Sequence, residues 1–242
     1  MRLCTVICGH VPEPARHLVP DYGACFESLL GPHLPGATFS QVAVLDGERI
    51  EDIGAYDVYV FTGSPAGVYE DMAWIKYAEQ LVRDVVGAGK CVLGICFGHQ
   101  LVAQALGGRV EKSDKGWGMG VHTVKLVDRE PWMRAGAEDG FVNVIVSHQD
   151  QVVTPPDGAK VLISTDFCPV GMMRVGDRVL TLQGHPEMQI GIVDTILEMR
   201  RERVGDAVYS SGKASLNLQL DHDLIGSWLA AFATGALGTK AA

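Results

Sequence analysis

A chain of 242 residues with 47% hydrophobic content can bury one α/β core, and a second independent domain would be cramped, so residues 1–242 read as one domain. The 20 Lys+Arg against 29 Asp+Glu give a formal net charge of −9, and no basic block could follow a phosphate backbone, which argues against nucleic acid as a direct partner. No apolar run approaches the ~20 residues that span a bilayer, and no signal-peptide cleavage motif follows Met1, so a cytoplasmic protein with no membrane partner is expected.

Six cysteines are scattered through apolar runs (Cys4, Cys8, Cys25, Cys91, Cys96, Cys168) without a Cys-x-x-Cys pair or a Cys/His cluster at zinc spacing. A reducing compartment follows, with no metal and no cofactor expected. Most of these thiols read as small buried hydrophobes.

In chain order, residues 3–7, 39–45, 56–61 and 91–95 are β-branched apolar runs that predict strands buried on both faces. Between the last two, Trp74, Tyr77, Ala78, Leu81, Val82 and Val85 fall at helical spacing, with Glu70 and Asp71 at the helix start and Gly87 and Gly89 at its end. This alternation predicts a flavodoxin-like, doubly wound, mostly parallel sheet flanked by helices. After about residue 108 strand-like runs follow one another at 123–127, 143–147, 161–164, 170–175 and 179–183, predicting a smaller antiparallel extension. Met172 and Met173 read as core and edge of one strand. Helical periodicity returns at Ile192, Val193, Ile196 and Leu197, and at Leu224, Ile225, Trp228, Leu229 and Phe232 behind a capping Asp221. Residues 205–215 between them read as a mobile loop.

The segment Gly94-Ile95-Cys96-Phe97-Gly98-His99-Gln100 carries a buried strand into an amphipathic helix with a cysteine at the corner. Glycines two residues either side let strand and helix approach, and the helix N-terminus favours a thiolate. Taken alone, the pentapeptide is equally compatible with a tight turn around an inert thiol. The segment Gly184-His185-Pro186-Glu187, after an apolar strand, supplies what the corner lacks. Proline keeps His185 extended, so its imidazole and the Glu187 carboxylate can turn the same way. If the two strands are parallel neighbours, their carboxyl ends share one sheet edge, where open α/β folds hold ligands. His99, beside the corner, should point away from Cys96 and pack or face solvent.

Four ordered segments, Phe61-Thr62-Gly63-Ser64-Pro65 with Val68-Tyr69, residues 94–100, Ser147-His148-Gln149-Asp150, and residues 184–187, make the chain resemble the class I (triad) glutamine amidotransferases, in particular free-standing proteins similar to the glutaminase domain of GMP synthase. The resemblance covers residues 40–190. It implies that Cys96 attacks the δ-carbonyl of glutamine, His185 passes the proton to ammonia, and Glu187 orients the imidazole. It places an oxyanion hole on the main-chain N–H groups of Ser64 and Phe97. Ser64 stands where such families usually carry a second glycine. It also assigns Gly63, Gln100, Ser147, His148 and Gln149 to substrate binding, although residues 147–150 read equally well as a polar turn.

Three functions stay open. The first is a glutamine amidohydrolase, with a separate synthetase as possible partner, since no phosphate-binding loop occurs in this chain. The second is a γ-glutamyl peptidase with the same chemistry and a larger leaving group, for which residues 9–31 and 205–215 could wall the extra space. The third, a non-catalytic regulatory relative, conflicts with the intact Cys96, His185 and Glu187. The related proteases and chaperones with an elbow cysteine generally lack the distant Gly-His-Pro-Glu.

Overall fold

The computed structural model describes residues 1–133 and 136–238. Its strands are β1 (Arg2–Ile7), β2 (Thr38–Ala43), β3 (Val58–Phe61), β4 (Cys91–Ile95), β5 (Arg109–Lys112), β6 (Gly118–Leu126), β7 (Phe141–His148), β8 (Asp150–Thr154), β9 (Ala159–Ser164), β10 (Met172–Val175) and β11 (Val179–Leu182). The helices are α1 (Tyr22–Leu30), α2 (Ala73–Gly87), α3 (Phe97–Ala105), α4 (Ile190–Val204), α5 (Asp206–Ser215) and α6 (His222–Gly238).

Among the described residues, nine strands form one sheet in the order β2-β1-β3-β4-β11-β10-β9-β6-β7, and β5 pairs with β8 in a separate ribbon. Pairing is parallel from β2 through β11 and antiparallel beyond it. The expected mostly parallel sheet with an antiparallel extension is therefore present. β11 joins the halves, parallel to β4 on one side and antiparallel to β10 on the other. That places the residues after Ile95 and those after Leu182 at one edge.

Alternating side chains in the inner strands feed two cores, as the two-residue period of a strand requires. Val58, Val60 and Leu93 pack with Phe26 and Leu30 of α1 and Trp228 and Phe232 of α6. Tyr59, Phe61 and Val92 pack on the opposite face with Ile75 and Leu81 of α2 and Leu101 of α3. Met172 and Met173 divide between the same two cores and are both fully buried, so neither is an edge residue.

Several expectations need correction. β2 is an outer strand with mostly exposed or half-buried residues, because it has a neighbour on one side only. Residues 206–215 are helix α5, not a loop; α5 packs on α4 and β6, and Ser215 Oγ accepts from the N–H of Val121 at 2.8 Å. α2 begins at Ala73, and Glu70 accepts from the N–H of Gly67 at 2.7 Å instead of opening the helix. Asp221 does stand immediately before α6, its carbonyl accepting from the N–H of Ile225 at 2.9 Å, while its carboxylate accepts from the N–H of Asn143 at 2.7 Å and ties the start of α6 to β7. The sequence reading missed α1 and the β5–β8 ribbon, whose strands include the Asp150 end of the presumed polar turn.

Candidate active site

Cys96 connects β4 to α3 with φ 54° and ψ −104°, a conformation that costs a residue with a Cβ about 1–3 kcal/mol. The surroundings impose it. The Cys96 N–H donates to Leu182 O at 2.9 Å, and the Gly98 N–H donates to Thr62 O at 3.1 Å. A Cβ on Gly98 would lie 2.2 Å from the carbonyl oxygen of Phe61, and one on Gly94 would lie 2.6 Å from that of Gly98. Only glycines allow β3, β4 and α3 to converge this closely.

His185 follows β11 and is fixed by its own N–H, which donates to Ile145 O at 2.7 Å. Its Nδ1 lies 2.7 Å from Glu187 Oε1, and both residues are buried. With Nδ1 so engaged, Nε2 is the nitrogen left for the sulfur. Gly63 makes the meeting possible: a Cβ there would stand 2.9 Å from His185 Cε1 and 3.8 Å from Cys96 Cβ. Burial opposes charge on the imidazole, but a negative Cys96 sulfur and the Glu187 carboxylate outweigh it, with hydrogen bonds to both, so its pKa is raised. The arrangement suits an imidazolium held between the sulfur and the carboxylate.

The other anticipated residues are placed unevenly. Phe97 follows Cys96 in the chain and Ser64 lines the same cavities as Cys96, and among the described hydrogen bonds neither main-chain N–H has a protein acceptor. Ser147 Oγ accepts from Arg200 Nη1 at 2.9 Å, and Gln149 Nε2 donates to Ser113 O at 3.2 Å. Gln100 donates inward, to Asp150 O at 2.8 Å and Gln183 Oε1 at 3.0 Å. It thereby braces Gln183, whose Nε2 lies 3.6 Å from Cys96 Sγ. His148 is buried with Nδ1 3.1 Å from Asp150 O.

His99 is a packing residue, buried with Nδ1 2.7 Å from Thr181 Oγ1. Burial pushes His99 and His148 each down to about 3. Unfolded, both would bind protons below about pH 6.5, whereas folded they do so only near pH 3. Their contribution is thus intact above pH 6.5 and is lost as pH falls towards 3, by about 1.4 kcal/mol per pH unit for each. Urea midpoints should fall between pH 7 and pH 4.5, and His99→Gln should flatten that fall; an unchanged slope refutes the assignment.

Two cavities meet at Cys96. The larger, about 200 Å³, is lined by Gln100 and residues 147–150 and carries Glu70, Asp150, Lys112, Arg200 and Arg203. The smaller, about 70 Å³, is lined by Gly63, His185, Tyr22, Met188 and Ile196. Ser64, Pro65, Cys96, Ser147 and Arg200 belong to both. Sequence reasoning missed Gln183, Arg200, Arg203 and Glu70. One signal was legible: Arg200, four residues after buried Ile196, extends the inward stripe of α4 as a half-buried side chain, an unusual place for a guanidinium group.

The fold is that of solved amidotransferases. A glutamine amidotransferase from Thermotoga maritima superposes with a TM-score of 0.74 at 21% identity, covering 96% of this chain and 98% of that one. The family profile "Glutamine amidotransferase class-I" matches residues 34–198, and the chain belongs to that family of enzymes. Gamma-glutamyl peptidase 4 of Arabidopsis thaliana is 34% identical over 191 residues, covering 77% of this chain and 75% of the relative. Gamma-glutamyl peptidase 3 of the same organism is 32% identical over 175 residues, covering 68% and 70%. A glutamine-hydrolyzing GMP synthase subunit of Sulfolobus acidocaldarius is 31% identical over 169 residues, covering 69% and 87%. No helix among the described residues is long and apolar enough to cross a membrane.

Proposed function

We propose that this enzyme hydrolyses γ-glutamyl amide bonds through a glutamyl thioester on Cys96. The observation that carries this reading is the buried His185–Glu187 pair against a cysteine held at φ 54°. The sulfur attacks the δ-carbonyl carbon. The resulting oxyanion accepts hydrogen bonds from the main-chain N–H groups of Ser64 and Phe97, preorganised donors that stabilise it without reorientation. The imidazolium gives its proton to the leaving nitrogen, the C–N bond breaks, and water activated by the neutral imidazole then releases glutamate. Glu187 keeps Nδ1 protonated throughout. Gly63 admits the imidazole, and Ser147, His148 and Gln149 form one wall of the γ-glutamyl cavity.

Within this class, γ-glutamyl peptides are the preferred reading, supported by the two plant peptidase relatives. Glutamine hydrolysis for a separate synthetase is the second reading, supported by the archaeal GMP synthase relative. The purified protein incubated with glutamine or with a γ-glutamyl dipeptide should release glutamate, with the dipeptide turned over faster. Absence of glutamate from both, or equal release by Cys96→Ala, removes the proposal. Release from glutamine alone promotes the second reading.

Glu187→Gln should lower kcat by roughly 10²–10⁴-fold, because the imidazolium loses its charged partner. Its pH profile supplies a further check. A raised pKa keeps His185 protonated to higher pH, so activity is lost as pH rises through that value. Without the carboxylate this alkaline limb should move to lower pH; a limb that stays in place contradicts the role.

A further inference from the structure

The two cavities flank different parts of a bound substrate. His185 lines only the smaller one, together with Pro12, Tyr22, Met188 and Ile196. A departing nitrogen that takes its proton from the imidazole must stand about 3 Å from that ring. The leaving group therefore occupies the smaller space and the γ-glutamyl chain the larger. The smaller space measures about 70 Å³, whereas a molecule the size of water or ammonia needs roughly 10–15 Å³. It is larger than ammonia requires.

Its walls are mostly apolar, with Tyr22, Met188 and Ile196 all buried. His10, Ser64, Ser147, His185 and Arg200 supply its polar groups, and among them Arg200 carries a fixed positive charge. The half-buried guanidinium donates to Ser147 Oγ and lies 5.2 Å from the Trp117 ring, which Arg203 also covers at 4.8 Å. Among the described residues no carboxylate forms an ion pair with Arg200, whose charge is nevertheless felt at the Cys96 sulfur. A cation partly withdrawn from water and set beside another cation carries an electrostatic cost that a bound anion would relieve. In a γ-glutamyl amino acid, two atoms (the scissile nitrogen and Cα) separate the leaving residue's carboxylate from the reacting carbonyl carbon. Three carbons separate the glutamyl α-carboxylate from it. A guanidinium beside the sulfur suits the nearer of the two.

We infer that the smaller cavity is a leaving-group pocket for an α-amino acid with an apolar side chain, its free carboxylate held by Arg200. The inference rests on the γ-glutamyl hydrolase reading and specifies its substrate class: γ-glutamyl α-amino acids, ahead of glutamine.

The test crosses two enzymes with a matched set of compounds: γ-glutamyl-leucine, its C-terminal carboxamide, γ-glutamyl-aspartate and glutamine. The wild type should favour γ-glutamyl-leucine over the carboxamide by about tenfold or more in kcat/KM, the value of one charge-assisted hydrogen bond. It should also favour it over γ-glutamyl-aspartate and over glutamine. Arg200→Met should bring the leucine and carboxamide compounds within about threefold of each other, and Arg200→Lys should recover part of the preference. A merely structural loss would lower both compounds together and leave their ratio intact, so a ratio retained in Arg200→Met overturns the inference. Equal rates of the wild type on leucine and carboxamide, or preference for glutamine, overturn it while leaving γ-glutamyl hydrolysis standing. Failure to release glutamate from any of the four removes the hydrolase reading as well.

Discussion

Cys96→Ala should lower glutamate release by about four orders of magnitude or more while leaving the protein folded. The nucleophile has no substitute nearby: Gln183 and His185 surround it, and neither side chain can form the thioester. Stability provides the second half of the test. Cys96 occupies φ 54°, ψ −104°, the mirror image of a conformation open to any L-residue, and glycine enters it without steric cost. Cys96→Gly should therefore be as inactive as Cys96→Ala yet more stable by about 1 kcal/mol. Thermal and denaturant unfolding of the two variants measures the difference. An active alanine variant ends the catalytic assignment, and a glycine variant no more stable than alanine would show that the corner is unstrained.

Gly98→Ala should cost about 3–5 kcal/mol, near the upper end of what single substitutions do. The new Cβ would stand 2.2 Å from the Phe61 carbonyl oxygen and 2.9 Å from Phe61 Cβ. Both belong to buried β3, so relief requires separating α3 from the sheet and moving Cys96 with it. The chemical consequence follows from the mechanical one, since Cys96 sits two residues away and the Gly98 N–H is bonded to Thr62 O at 3.1 Å. Gly235→Ala is the control. Among the described residues, and apart from its own helix backbone, nothing lies within 4 Å of a Cβ there, and alanine in a helix should gain up to about 1 kcal/mol. Equal stabilities for the two variants would refute the close-approach explanation.

The sequence alone sufficed for the strands of the parallel half and its helix α2, though not α1, for the antiparallel run after residue 108, and for the corner at Cys96. These are local properties: a period of two or 3.6 residues, a glycine either side of a turn, a proline after a histidine. Its errors were local readings defeated by packing. Residues 206–215 are polar and glycine-containing, and they are helical because α4 and β6 offer them a surface. β2 carries an apolar pattern and is exposed because nothing pairs on its outer side.

What only the tertiary structure decided is which side chains converge on the sulfur. β11 pairs with β4 in register Leu182 to Ile95, and this one adjacency carries His185 and Glu187 to Cys96 across 89 positions of chain. Gln183 arrives by the same strand, and Arg200 by the turn of α4 towards Ser147. Strand pairing and cavity shape depend on interactions between distant segments, which no local period encodes. Residue types and order determined the chemistry available to this protein, and the folded chain determined the room and charge around it.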